Sequence, residues 1–160
     1  MALILAGRWK ERLPIPSPTG GAFTPSPAPH FLVRFHCAQH VLGGEIDFLM
    51  DTGADITTIM PDDRETICIP NRALVDGCPP AMSGIGGLVP IRYLHDITLQ
   101  FPDPDGKPLE PIRLERISVL CPLRELRAAY RGTPSLLGRD FLSHGKIELS
   151  SAGVTFEWCG

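Results

Sequence analysis

Phe48-Leu49-Met50-Asp51-Thr52-Gly53-Ala54-Asp55 is an apolar run that stops on an acid, a hydroxyl and a glycine. Ile46, Phe48, Leu49 and Met50 read as a buried strand, so Asp51 leaves the core at its end, where a carboxylate without partners costs free energy. Thr52 and Gly53 are suited to partner it. The threonine hydroxyl both donates and accepts, and glycine lets the backbone turn tightly and present an amide hydrogen to a carboxylate oxygen. Asp and Gly are also ordinary residues of a strand-to-turn junction. The rest of the chain has to decide between a turn and a reactive acid.

Working outward, Phe31-Leu32-Val33-Arg34-Phe35-His36-Cys37 and Val41-Leu42-Gly43-Gly44-Glu45 predict a β-hairpin feeding the acid loop. Ile56-Thr57-Thr58-Ile59-Met60 predicts a further strand closed by Pro61, and the segment from Asp62 to Pro80 reads as a solvated loop, with a short helical turn opened by Asp62, Asp63, Arg64 and Glu65 as the alternative. Ser83-Gly84-Ile85-Gly86-Gly87 lies before the alternating run Leu88 to Leu94, where glycines suit a mobile hairpin tip. Ile97 to Phe101 and Ile112 to Leu120 predict a second hairpin across the Pro102-Asp103-Pro104-Asp105-Gly106 turn. Leu123 to Tyr130 has helix propensity, Phe141 to His144 suggests a short helix with a glycine stop, and Ile147 to Trp158 predicts a closing pair of strands. The reading is all-β with one or two short helices.

A chain of 160 residues, 43% hydrophobic and 21% charged, suits one globular domain. Residues 1–29 carry Pro14, Pro16, Pro18, Pro25, Pro27 and Pro29 among small polar residues, so they read as a flexible tail or linker, alternatively a self-processed pro-segment, before a domain over 30–160. The opening apolar run of Met1 to Gly7 is too short for a signal peptide or a membrane span, and a net charge of −3 gives no reason to expect nucleic acid or an anionic membrane as partner. Five cysteines are scattered without a Cys-x-x-Cys pair, which favours reduced thiols in the cytoplasm. His36, Cys37 and His40 lack a further ligand at a recognisable spacing, and His30, His95 and His144 add none, so neither a metal nor another cofactor is expected.

Asp51-Thr52-Gly53-Ala54-Asp55, then Met82-Ser83-Gly84-Ile85-Gly86-Gly87-Leu88-Val89, then Ser135-Leu136-Leu137-Gly138-Arg139-Asp140-Phe141-Leu142 resemble, in this order, the retropepsin family of aspartic proteases, over roughly residues 31 to 158. The resemblance implies a closed acid-protease barrel with a flap hairpin, and an aspartic endopeptidase that hydrolyses peptide bonds. Aspartic peptidases use two carboxylates that share a proton, one activating water and the other protonating the developing oxygen. Only one Asp-Thr-Gly is present, so a homodimer with Asp51 facing its symmetry mate is expected.

By the same resemblance, Asp51, Thr52 and Gly53 would be catalytic, with Thr52 bonding across the axis and Gly53 holding substrate backbone. Leu49, Ala54, Asp55, Ile56, Thr58, Pro134 and Leu136 would form the substrate pockets, with Ser83, Gly84 and Ile85 in the flap above. Asp55 and Arg139 would be a buried ion pair bracing the loop. Apolar walls imply a protein or peptide substrate with apolar residues beside the scissile bond. The longer segment after Pro61, Ser83 in the flap and the insertion at Leu123 to Tyr130 depart from viral patterns. A catalytically silent interaction module with the same fold is the alternative from another functional class.

Overall fold

A computed structural model describes residues 2–16, 20–77, 79, 81–84 and 87–160. The predicted hairpin around the acid loop is formed by β4 (Ala28–Cys37) and β5 (Leu42–Met50), which pair antiparallel from His30 opposite Leu49 to Cys37 opposite Leu42. Strand alternation puts Phe31, Val33, Phe35 and Cys37 of β4 and Ile46, Phe48 and Met50 of β5 in the core. Each such large apolar side chain contributes about 1.5–3 kcal/mol on full burial. Leu49 points to the opposite face and stays half-buried.

Four more strands complete a ring. They are β6 (Thr58–Ile59), β8 (Gly87–Gln100), β9 (Ile112–Leu120) and β10 (Leu136–Leu137). β5 pairs parallel with β10, β10 antiparallel with β6, β6 parallel with β9, and β9 antiparallel with β8. The last four residues of β8 then pair back onto β4, from Arg34 opposite Gln100 to Cys37 opposite Ile97, so the barrel is closed. The first residues of β8 pair with β7 (Ala81–Gly84) as a hairpin. Its tip, with the expected flap residue Ile85, lies outside the described residues. The fold is all-β, as the alternating pattern predicts.

The N-terminal reading needs correction. Leu3–Lys10 is no flexible tail but a strand, β1, set between β4 and the closing strand β12 (Gly153–Trp158), which pairs in turn with β11 (Gly145–Ser150). Leu5 is 1% exposed, so burial of this strand and two ladders of backbone hydrogen bonds outweigh the entropy of freeing it. Among the described residues that follow, Ile15–Pro16 and Ala22–Phe23 form the two-residue strands β2 and β3, and Ala28 and Pro29 already belong to β4. Charge also ties β1 to the barrel. Lys10 Nζ and Arg8 Nη2 donate to Asp47 Oδ2 at 2.6 and 3.0 Å, and buried His30 sits with Nδ1 3.4 Å from Asp47 Oδ1. Burial works to raise the Asp47 carboxyl, but the bonds from Lys10 and Arg8 and the surrounding positive charge outweigh it and hold it below the usual carboxylate range.

The segment after the acid loop is also more ordered than a solvated loop. Pro61–Thr66 is a helix, α1, with Pro61 at its start and Asp62 and Asp63 in its first turn. Both acids act as tethers: Asp62 Oδ2 accepts from Gly132 N at 2.8 Å and Asp63 Oδ2 from Ser135 Oγ at 2.6 Å. The predicted helical insertion is found as 3-10 helix over Arg124–Tyr130, and the short helix expected over Phe141 to His144 lies two residues earlier, at Arg139–Leu142, α2. A run of aromatic contacts, Phe31 to Phe101 at 6.1 Å, Phe101 to Phe141 at 5.5 Å and Phe141 to Trp158 at 4.7 Å, packs α2 and β12 against the barrel. Among the described residues no helix is long and apolar enough to cross a membrane.

Candidate active site

β10 lies between β5 and β6, so the chain from Asp51 to Thr57 has to cross its end to join them. That crossing is the acid loop. Asp51 N donates to Leu137 O at 3.0 Å, extending the β5–β10 ladder by one bond, and Ala54 N closes a turn onto Asp51 O at 3.2 Å. Gly53 N donates to Asp51 Oδ1 at 2.8 Å, the amide-to-carboxylate contact for which a glycine was expected. A Cβ at Gly53 would stand 3.1 Å from that oxygen, so close approach rather than unusual torsion selects glycine here. Asp51 and Ala54 are half-buried, and Thr52 and Gly53 are exposed, so the loop presents itself on an open face.

The brace beneath the loop differs from the expected one. Arg139 Nη2 does pair with Asp55 Oδ1, but the two side chains are 61% and 77% exposed. The pair is therefore not buried in the single chain, and water and salt screen it to about 0–1 kcal/mol rather than several. Asp140, itself exposed, is the acid that anchors buried Thr57. Its Oδ1 accepts from Thr57 N at 2.8 Å, Thr57 Oγ1 at 2.7 Å and Phe141 N at 2.8 Å, while Thr57 Oγ1 accepts from Gly138 N at 3.1 Å. Backbone bonds from Arg139 N to Ala54 O (2.8 Å) and Asp140 N to Asp55 O (3.2 Å) complete the joint. Thr57 is 2% exposed, and a hydroxyl so buried needs such partners. The sequence signal was two threonines inside an apolar strand.

Gly138 is where this joint is tightest. A Cβ there would meet the Ile56 backbone at 2.5 Å from the carbonyl carbon and 2.8 Å from its oxygen. Gly138→Ala should therefore destabilise the fold by about 1–3 kcal/mol, lowering the melting temperature by several degrees. Gly153→Ala, whose added Cβ meets nothing within 4 Å, is the control in the same thermal denaturation.

Of the expected pocket residues, Leu49, Ile56, Pro134 and Leu136 are half-buried, and β-pairing sets Leu136 against both Leu49 and Thr58. Thr58 itself is 0% exposed, its Oγ1 2.6 Å from Ser118 Oγ, so it backs the wall and does not form its surface. Ile56 and Leu136 share a shelf with Met82 and Tyr130, packed over Met60, Val89, Ile91, Tyr93 and Leu120. Met82 and Tyr130 escaped the sequence reading because one lies in the flap strand and the other in a helical-looking insertion. Ser83 and Gly84 lie in β7 opposite Leu88 and Gly87. Among the described residues no group of three or more potential metal ligands gathers.

No family model matches the sequence, and neither does any curated protein. Solved structures do resemble the fold. EIAV protease, in complex with the inhibitor HBY-793, is 20% identical over 72% of this chain and 86% of its own, with a TM-score of 0.44. A retropepsin-like aspartic protease from Rickettsia conorii is 14% identical over 99% of this chain and 91% of its own, with a TM-score of 0.48. In fold, the chain is similar to these retropepsin-type proteins.

Proposed function

We infer that this protein is an aspartic endopeptidase whose active site forms between two copies of the chain. The observation that carries the reading is the state of Asp51 beside its neighbouring acids. Its carboxylate is held by Gly53 N on an exposed loop, while Asp55 is engaged by Arg139 and Asp140 by Thr57. Each of these two acids has a partner of its own, and among the described residues no hydrogen bond joins either to Asp51. A two-fold axis through the exposed loop supplies the second carboxylate from the partner's own Asp51.

In the assembled site, the ionised carboxylate accepts a proton from water as it attacks the scissile carbonyl. The protonated one donates to the carbonyl oxygen as charge develops there. Two carboxyls so close share one proton, because both cannot ionise together. The shelf of Ile56, Met82, Tyr130 and Leu136 supports apolar side chains beside the scissile bond. The β7–β8 hairpin is the candidate cover that excludes bulk water.

The pH profile of peptide cleavage tests the chemistry. One carboxyl must be protonated and its partner ionised, so activity should peak in the acidic range and fall as the shared proton is lost. Turnover holding a plateau well above about pH 8 would contradict a carboxylate pair.

A further inference from the structure

A cleft of about 580 Å³ opens where α1, the Asn71–Ala73 turn, the end of β9 and the Arg124–Tyr130 turn meet. It shares no lining residue with the acid loop and is built from the two segments that depart from viral patterns. Arg64, Arg124 and Arg127 line it against a single acid, Glu65. Three positive charges less one negative leave a local surplus of two on a chain whose net charge is −3. Ile69 and Leu120, 4% and 1% exposed, are sealed beneath it, and half-buried Pro122 is the apolar residue on its wall.

The arginines are prepared to different degrees. Arg64 is fixed: Nη2 donates to Asn71 Oδ1 at 2.5 Å, Nε to Ile69 O at 3.4 Å, and Nη1 lies 3.4 Å from Cys121 Sγ. A guanidinium held this way loses little further rotamer freedom when an anion arrives. Arg127 pairs with Glu65, but at 54% and 57% exposure that pair is weak and exchangeable. Arg124 is exposed, and among the described residues no ion pair engages it.

We propose that this cleft is a docking site for an acidic, apolar-containing peptide segment of a partner protein, its carboxylates received by Arg64, Arg124 and Arg127. Charge complementarity selects the acid, and Pro122 on the wall offers an apolar contact between acids that a small phosphate would leave unused. The volume suits a short segment rather than a folded surface. The site is independent of hydrolysis, so it is tested on the full-length Asp51→Asn chain, where its failure and that of the protease reading remain separate.

The probe is a fluorescein-labelled peptide of alternating Glu and Leu, followed by anisotropy at low salt, with a Lys and Leu peptide as control. The acidic peptide should bind saturably and the basic one not. Arg124→Glu should weaken binding at least about tenfold, raising salt should weaken it further, and Glu65→Gln, which removes the competing carboxylate, should tighten it. That opposite response is one a merely structural role for Glu65 would not give. Absence of saturable binding up to about 1 mM peptide, equal binding of the lysine peptide, or indifference to Arg124→Glu would overturn the proposal, as would displacement by inorganic phosphate or an oligonucleotide at concentrations below the peptide's own Kd.

Discussion

Asp51→Asn should abolish peptide cleavage, lowering the rate by about 10³-fold or more, while the folded chain remains intact. Asparagine keeps a carbonyl oxygen where Asp51 Oδ1 accepts from Gly53 N at 2.8 Å, so the loop's internal bond and its turn survive. Two functions are lost instead: the neutral amide neither accepts the proton of water nor shares one with a partner carboxyl. Circular dichroism and the melting temperature should stay close to wild type. Cleavage close to the wild-type rate would remove Asp51 from the chemistry. Clean loss with an unchanged melting temperature would also set aside the reading of a catalytically silent module, because a silent chain has no activity to lose.

Specific activity should depend steeply on concentration. If only the associated pair is competent, then where free chains dominate the pair population grows as the square of chain concentration. Tenfold dilution should then cut turnover per chain about tenfold, until at high concentration the curve saturates. Sedimentation over the same series should put the change in mass at the same midpoint. The exposed face of Thr52 and Gly53 motivates this expectation, since an acid protease confined to one chain would need a second carboxylate there. Arg139 and Asp55, exposed in the single chain, lie on the same loop and its brace.

The sequence revealed the parts of the fold whose cause is local. Asp51-Thr52-Gly53 was readable because an apolar strand, an acid and a glycine stand adjacent, and the contact they make spans two residues. The closing strands were readable because β11 and β12 are joined by the short turn at Ser151-Ala152. β1 was not: its ladder joins Leu3 to Trp158, and Leu3-Ile4-Leu5-Ala6 lacks the apolar-polar alternation that marks a half-buried strand. Six-residue α1 was too short for a helical period to emerge. The Asp140–Thr57 joint spans 83 residues, so sequence order hid it and favoured the more conspicuous arginine next door. Whether Arg139 and Asp55 are buried is a property of packing that no spacing encodes.

The central claim is that one site draws its two acids from two chains, and mixing tests it most directly. Wild type held at a dimer-saturating total concentration should be equilibrated with a threefold excess of the Asp51→Asn chain and assayed for peptide cleavage. Random pairing leaves about a quarter of wild-type chains with a wild-type partner, so activity per wild-type chain should fall to about a quarter. Activity per wild-type chain that stays constant at every mixing ratio, with subunit exchange verified by mass, would contradict a shared site.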